Sequence, residues 1–208
     1  MAVVITVAQQ KGGAGKTTLA ANLAAAFAAS KRVAVLDIDP QRSLARWHGL
    51  RAQRSGVPAI TLSEVSGWRL GNELERLRRT HDVLIVDSPP QIDTDAKLAV
   101  RAADLVLAPV QPSPPDLWAA EGTLTLADAE GRPARLLLNR APAGGKLRAW
   151  VEAEIARLDW PVLESVLGNR IGFAGAFARG LGITEASAQT VAARELLALL
   201  AEIEGILP

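Results

Sequence analysis

Apolar residues along this chain fall into two kinds of pattern. Short, near-continuous runs of Val, Ile and Leu cover Val3–Ala8, Val33–Asp37, Val83–Asp87, Leu105–Val110 and Arg135–Asn139. A run that is apolar at almost every position has no polar side to show to water, so it predicts a strand buried on both faces of a sheet. Between these runs lie longer helix-like stretches: Thr17–Ala29, Gln41–Arg54, Arg69–Arg79, Asp116–Asp128 and Lys146–Leu158. The rhythm predicts an α/β fold, a mostly parallel central sheet with helices on both faces. No repeat, linker or low-complexity stretch interrupts it, and 208 residues suit one domain over residues 1–208.

Several of these strands end in Asp37, Asp87, Pro109 and Asn139. Ligands of open α/β sheets bind at the carboxyl ends of strands, so these residues point to one site. The first strand leads into Gln9-Gln10-Lys11-Gly12-Gly13-Ala14-Gly15-Lys16-Thr17-Thr18. The usual phosphate-loop pattern places a glycine where Gln10 stands, yet the working parts are present. Glycines let consecutive backbone N–H groups turn toward phosphate, and a helix start adds its positive end. Lys16 reaches the β- and γ-phosphates, and the Thr17 hydroxyl suits Mg²⁺. Gly12, Gly13, Ala14, Gly15, Lys16, Thr17 and Thr18 are therefore the expected nucleotide cradle.

The run Lys-Gly-Gly-Ala-Gly-Lys-Thr-Thr resembles the deviant Walker-A motif of the ParA/MinD family of P-loop ATPases, and most of all that of its small partition ATPases. The resemblance implies that Lys11 crosses to the nucleotide of a partner subunit in an ATP-bound homodimer. Asp37-Ile38-Asp39-Pro40-Gln41 is similar to that family's second motif. By that match Asp39 positions the attacking water and Asp37 supports the metal shell; helix capping near Ser43 is the other reading of this pair. Val83–Asp87 with Ser88-Pro89-Pro90 looks like a Walker-B strand that offers Asp87 to Mg²⁺ and a following segment that senses the γ-phosphate. Asn139 resembles the family's adenine reader, with Arg140 beside it, although a turn role for Asn139 stays open. Pro112, in Gln111-Pro112-Ser113-Pro114-Pro115-Asp116, falls in what looks like a proline loop near the nucleotide; the helix after it is expected to begin beyond Asp116.

Composition then narrows the field. With no cysteine and no tyrosine, the Fe–S relatives of this fold and its tyrosine kinases are excluded. The two histidines, His48 and His81, make a histidine metal site improbable. The five tryptophans read as packing residues. The terminal stretch Arg194–Glu204 carries more acid than base, unlike a lipid-binding helix, so no membrane partner is expected. No signal peptide precedes Val3–Val7 and no helix-turn-helix module is apparent, which fits a cytoplasmic, nucleoid-associated protein. Net charge is only +1, but residues 132–179 hold eight basic against four acidic residues. Arg170 and Arg179 there are the candidates for contacts to non-specific double-stranded DNA, a solvated basic face being the alternative. The resemblance implies a switch between ADP monomer and ATP dimer, a ParB-like or other cargo adaptor that stimulates hydrolysis, and positioning of a plasmid, chromosome or protein cluster. A metabolic P-loop enzyme that transfers phosphate or ligates a small molecule is the competing class; its turnover would require a small acceptor.

Overall fold

A computed structural model of the chain describes residues 2–65, 67–91 and 93–207; Met1, Ser66, Ile92 and Pro208 lie outside the described residues. Seven strands form one sheet: β1 (Val3–Val7), β2 (Val33–Asp37), β3 (Ile60–Glu64), β4 (Val83–Asp87), β5 (Leu105–Val110), β6 (Ala134–Ala141) and β7 (Val162–Gly168). Their order is β3-β2-β4-β1-β5-β6-β7, and every pairing is parallel. The helices are α1 (Lys16–Phe27), α2 (Ser43–Arg51), α3 (Gly67–Arg78), α4 (Thr94–Ala102), α5 (Pro114–Ala129), α6 (Lys146–Arg157), α7 (Ile171–Phe177), α8 (Ile183–Ala186) and α9 (Val191–Ile206).

Central strands show why apolar runs become parallel sheet. In β1, Ile5 and Val7 face the core formed with α1, α2 and α7–α9, while Val4 faces the core formed with α3 and α4. In β5, Leu105 and Leu107 join the first core, and Val106, Ala108 and Val110 join the cores under α5 and α6. Successive side chains alternate between faces, and both faces are apolar because both are covered. All five strands expected from the apolar runs are present. The two not foreseen, β3 and β7, are the sheet edges.

Two local features differ from the expectations, and a third goes beyond them. Helix α5 starts at Pro114, not beyond Asp116, with Ser113 as N-cap and two prolines in its first positions. A first-turn residue has no intrahelical N–H bond to lose, so proline is tolerated there. The tryptophans do not all pack: Trp47 is fully buried against Phe177, but Trp68 is 71% and Trp118 67% exposed. Helix α9 is a packing helix, and it also closes the β7 edge. Glu202 accepts from the N–H groups of Glu164 and Ser165, and Glu195 accepts from that of Gly168.

Candidate nucleotide site

The loop after β1 curls because of its glycines. Gly13 has φ +82° and Gly15, the N-cap of α1, has φ +93°, in the region that L side chains avoid. A Cβ on Gly15 would also sit 2.6 Å from the Asn139 amide nitrogen. The loop therefore leaves its amides clear at the start of α1. Gln10, where a glycine was expected, lies across α5 at Gly122; a Cβ there would be 1.7 Å from its Nε2. A residue that departs from the general phosphate-loop pattern is thus accommodated by a glycine on the neighbouring helix, a pairing invisible without the fold.

Two cavities meet over this loop. One, of about 370 Å³, is lined by Gly12, Gly13, Lys16, Thr17, Asp39 and Pro90 among others. The second, of about 390 Å³, is bordered by Asn139, Leu167, Arg170, Ile171 and Phe173. They share Gly15, Thr18 and Arg140. One brings Lys16, Thr17 and Asp39 together at a helix N-terminus; the other offers apolar walls and an amide. That succession suits a phosphate tail running into a base.

Charges in the phosphate-side cavity are held in a tense arrangement. Lys16 is buried and its Nζ donates to the Gln9 carbonyl at 3.2 Å. Burial pulls its pKa below the ordinary lysine range, against the raising effect of the Asp87 and Asp39 carboxylates. Asp87 is wholly buried at the end of β4, and neither carboxylate oxygen has a hydrogen-bond partner among the described residues. Burial pushes its pKa up to about 7, and the nearby Thr17 hydroxyl pulls it back without meeting either oxygen in full hydrogen-bond geometry. Two orphaned carboxyl oxygens beside a hydroxyl and a phosphate cradle are a donor set that fits Mg²⁺, which takes oxygen ligands from one or two carboxylates and from phosphates.

Asp37 is placed differently. Its Oδ1 accepts from the Asp39 N–H at 3.1 Å and its Oδ2 from the Ala45 N–H at 2.9 Å, so it braces the turn and the first residues of α2. Burial raises its pKa, and these two backbone donors work against that shift. Asp39 stands half-buried in the phosphate-side cavity, with Oδ1 accepting from the Gln41 N–H.

The remaining candidates gather around the loop to differing degrees. Asn139 donates from Nδ2 to the Ala14 carbonyl at 2.8 Å and accepts from the Arg140 N–H at 3.0 Å. Arg140 has φ +51° and donates to the Gly13 carbonyl at 3.2 Å. Pro112 is buried and away from both cavities; its neighbour Gln111, not foreseen, donates to the Gly13 carbonyl at 2.8 Å. Lys11 folds back onto its own chain, where Nζ pairs with Asp116 in the first turn of α5. The Asp116 side chain is almost fully buried, and Ser113 shares the same oxygen. Arg170 borders the base-side cavity and is tied to Glu195. Arg179 is exposed, with Nε donating to the Gly175 carbonyl.

Comparison with known proteins matches residues 5–183 to the family model described as the CobQ/CobB/MinD/ParA nucleotide binding domain. The "Maintenance of carboxysome distribution protein A" of Halothiobacillus neapolitanus is 30% identical over 212 aligned residues, which take in 97% of this chain and 96% of that one. The "Chromosome-partitioning ATPase Soj" of Thermus thermophilus is 35% identical over 149 residues, 59% of each chain. Among solved structures, apo McdA of Cyanothece superposes with a TM-score of 0.83 at 17% identity, covering 98% of this chain and all of that one.

Proposed function

The chain belongs to the CobQ/CobB/MinD/ParA nucleotide-binding family, and from that premise we propose that it is a Mg²⁺-dependent ATPase that positions a large cargo by cycling between an ADP monomer and an ATP dimer. The observation that carries the reading is the pair of joined cavities over Gly15, Thr18 and Arg140, with the unpartnered Asp87 carboxylate at the phosphate side. Lys16 and the loop amides hold the phosphates, Thr17 and Asp87 hold Mg²⁺, and Asn139 and Arg140 border the base. When bound, Mg²⁺ supplies positive charge to the β- and γ-phosphate oxygens. Asp39, in the same cavity as Lys16, orients the water. Phosphoryl transfer asks a protein mainly for such positioning and charge.

Lys11 is the switch element in this reading. Its Nζ, on a partly exposed side chain paired with Asp116 in the first turn of α5, leaves that carboxylate to meet the partner subunit's nucleotide. The ATP dimer is held on non-specific DNA within the cell, and an adaptor protein on the cargo stimulates hydrolysis and release. The nearly full-length likeness to a carboxysome-distribution protein favours a protein body as cargo over a chromosome.

Light scattering tests the switch. Wild type should double in mass with ATP and not with ADP, whereas Lys11→Ala should bind ATP and remain a monomer. An ATP dimer of Lys11→Ala as stable as that of wild type would sink the role given to Lys11. In phosphate-release assays, Asp39→Ala should still bind ATP and dimerise, yet turn over roughly 100-fold more slowly, the low end of what a positioned proton-handling group contributes. Unchanged turnover would remove Asp39 from the water.

A further inference from the structure

Most of the arginines that follow residue 140 are already spoken for. Arg148 pairs with Glu152, Arg157 with Glu154 and Arg170 with Glu195. A guanidinium that holds a carboxylate must give it up before it takes a phosphate. The segment from Pro40 to Ser63 is different in kind: it holds Arg42, Arg46, Arg51 and Arg54 and not one Asp or Glu. The fold sorts these four. Arg51 is buried against Glu185 and over the Trp47 ring, so it is structural. Arg42 reaches Glu64. Arg46 and Arg54 are exposed and have no acidic partner among the described residues.

They also share a surface. Arg42, Arg46 and Leu50 recur every fourth residue and so line one side of α2, and Arg54 follows in the turn after it. There the Arg54 Nε donates to the Arg179 carbonyl at 2.9 Å, which brings the loop after α7 alongside. That approach depends on Gly180, whose φ is +71° and where a Cβ would lie 2.3 Å from the Arg51 nitrogen. Below it the Trp47 Nε1 donates to the Leu181 carbonyl and the Trp47 and Phe177 rings stack at 6.4 Å. Three exposed guanidinium groups thus sit on a braced, acid-poor ridge, and none of the three lines a nucleotide cavity.

We propose that Arg46, Arg54 and Arg179 on the α2–α7 ridge form the surface that grips the phosphate backbone of duplex DNA. This rests on the reading of the protein as a DNA-borne switch and assigns that role to residues outside the nucleotide site. Guanidinium groups bind phosphate with paired N–H donors, and Arg46, Arg54 and Arg179 have no acidic partner among the described residues to compete. No base-reading element accompanies them, so the binding is indifferent to sequence. A two-fold dimer presents the ridge twice, and because each bound phosphate releases counterions, doubling their number multiplies affinity.

Fluorescence anisotropy of a labelled random-sequence duplex, with Mg²⁺-ATP and a salt series, tests this on wild type, Arg46→Gln/Arg54→Gln, Arg54→Lys and Arg157→Gln. The double variant should bind roughly tenfold or more weakly at about 0.1 M salt, and its plot of log affinity against log salt should flatten by about 0.9 for each phosphate no longer neutralised. Its turnover without DNA and its ATP-dependent dimerisation should match wild type, which shows the fold intact. Arg54→Lys should retain most of the salt slope, and Arg157→Gln, at an acid-paired arginine outside both cavities, should leave DNA affinity within about twofold of wild type. If wild type binds with a steep salt slope and the double variant matches it, the ridge is not the surface, although the DNA-borne reading stands. If wild type itself shows no ATP-dependent, salt-sensitive binding, that reading fails and the assignment falls with it.

Discussion

Lys16→Ala should lose nucleotide affinity by about 1000-fold while the free protein stays folded. The ammonium is buried, and among the described residues its one hydrogen bond is a 3.2 Å contact to the Gln9 carbonyl. Held about 4 Å from a phosphate charge in a partly screened site, it is worth about 4 kcal/mol, and each 1.4 kcal/mol is a factor of ten. In the free protein the same charge is a burden, as its lowered pKa records. Calorimetry with Mg²⁺-ATP and thermal melts without nucleotide separate the two effects. ATP affinity within a fewfold of wild type would mean that the loop is not the phosphate site.

Asp87→Asn should have the next largest effect, and its sign is opposite in the free protein and in the complex. The Asp87 carboxyl has its pKa pushed up to about 7 in the fold, against an ordinary 3.8. Between about pH 4 and pH 7 the folded chain therefore keeps a proton that the unfolded chain releases. The unfolded state binds fewer protons there, so stability falls as pH rises through this window and levels off above it. At 1.36 kcal/mol per unit the full cost is roughly 4 kcal/mol at pH 8. Asparagine carries no charge to desolvate, so the variant should gain up to that amount at pH 8 and little at pH 4. Urea midpoints for both proteins at the two pH values check this. With nucleotide present the variant should lose the affinity that Mg²⁺ adds. Parallel pH profiles for variant and wild type would mean that Asp87 is not the buried acid described.

How much of this was legible beforehand follows from how each residue finds its partners. The central strands could be read because both their faces are covered, and their sequences say so at every position. The edges could not: Ile60–Glu64 and Val162–Gly168 are only partly buried and mix polar with apolar residues. The phosphate loop was legible because its chemistry is local to ten consecutive residues. The pairing of the basic residues was not, because counting charges in a window cannot see across the fold. Glu195, which holds Arg170, lies outside the window in which Arg170 stood out, and the acid-free stretch around α2 carries a signal of absence instead of excess. Lys11 shows the same limit, since its partner Asp116 is 105 residues away.

The two glutamates that α9 lays along β7 also bear on how many molecules can gather in one place. An edge strand with bare N–H groups is a template on which another chain can add a strand, and addition of that kind propagates into fibres. Here Glu202 and Glu195 occupy those donors with carboxylates, so a neighbour that approached the edge would have to displace a charged cap and leave it unpaired. A protein at high local density stays dispersible only if its sheet edges are closed to recruits. On this side of the molecule α9 acts as the stopper that keeps crowding reversible.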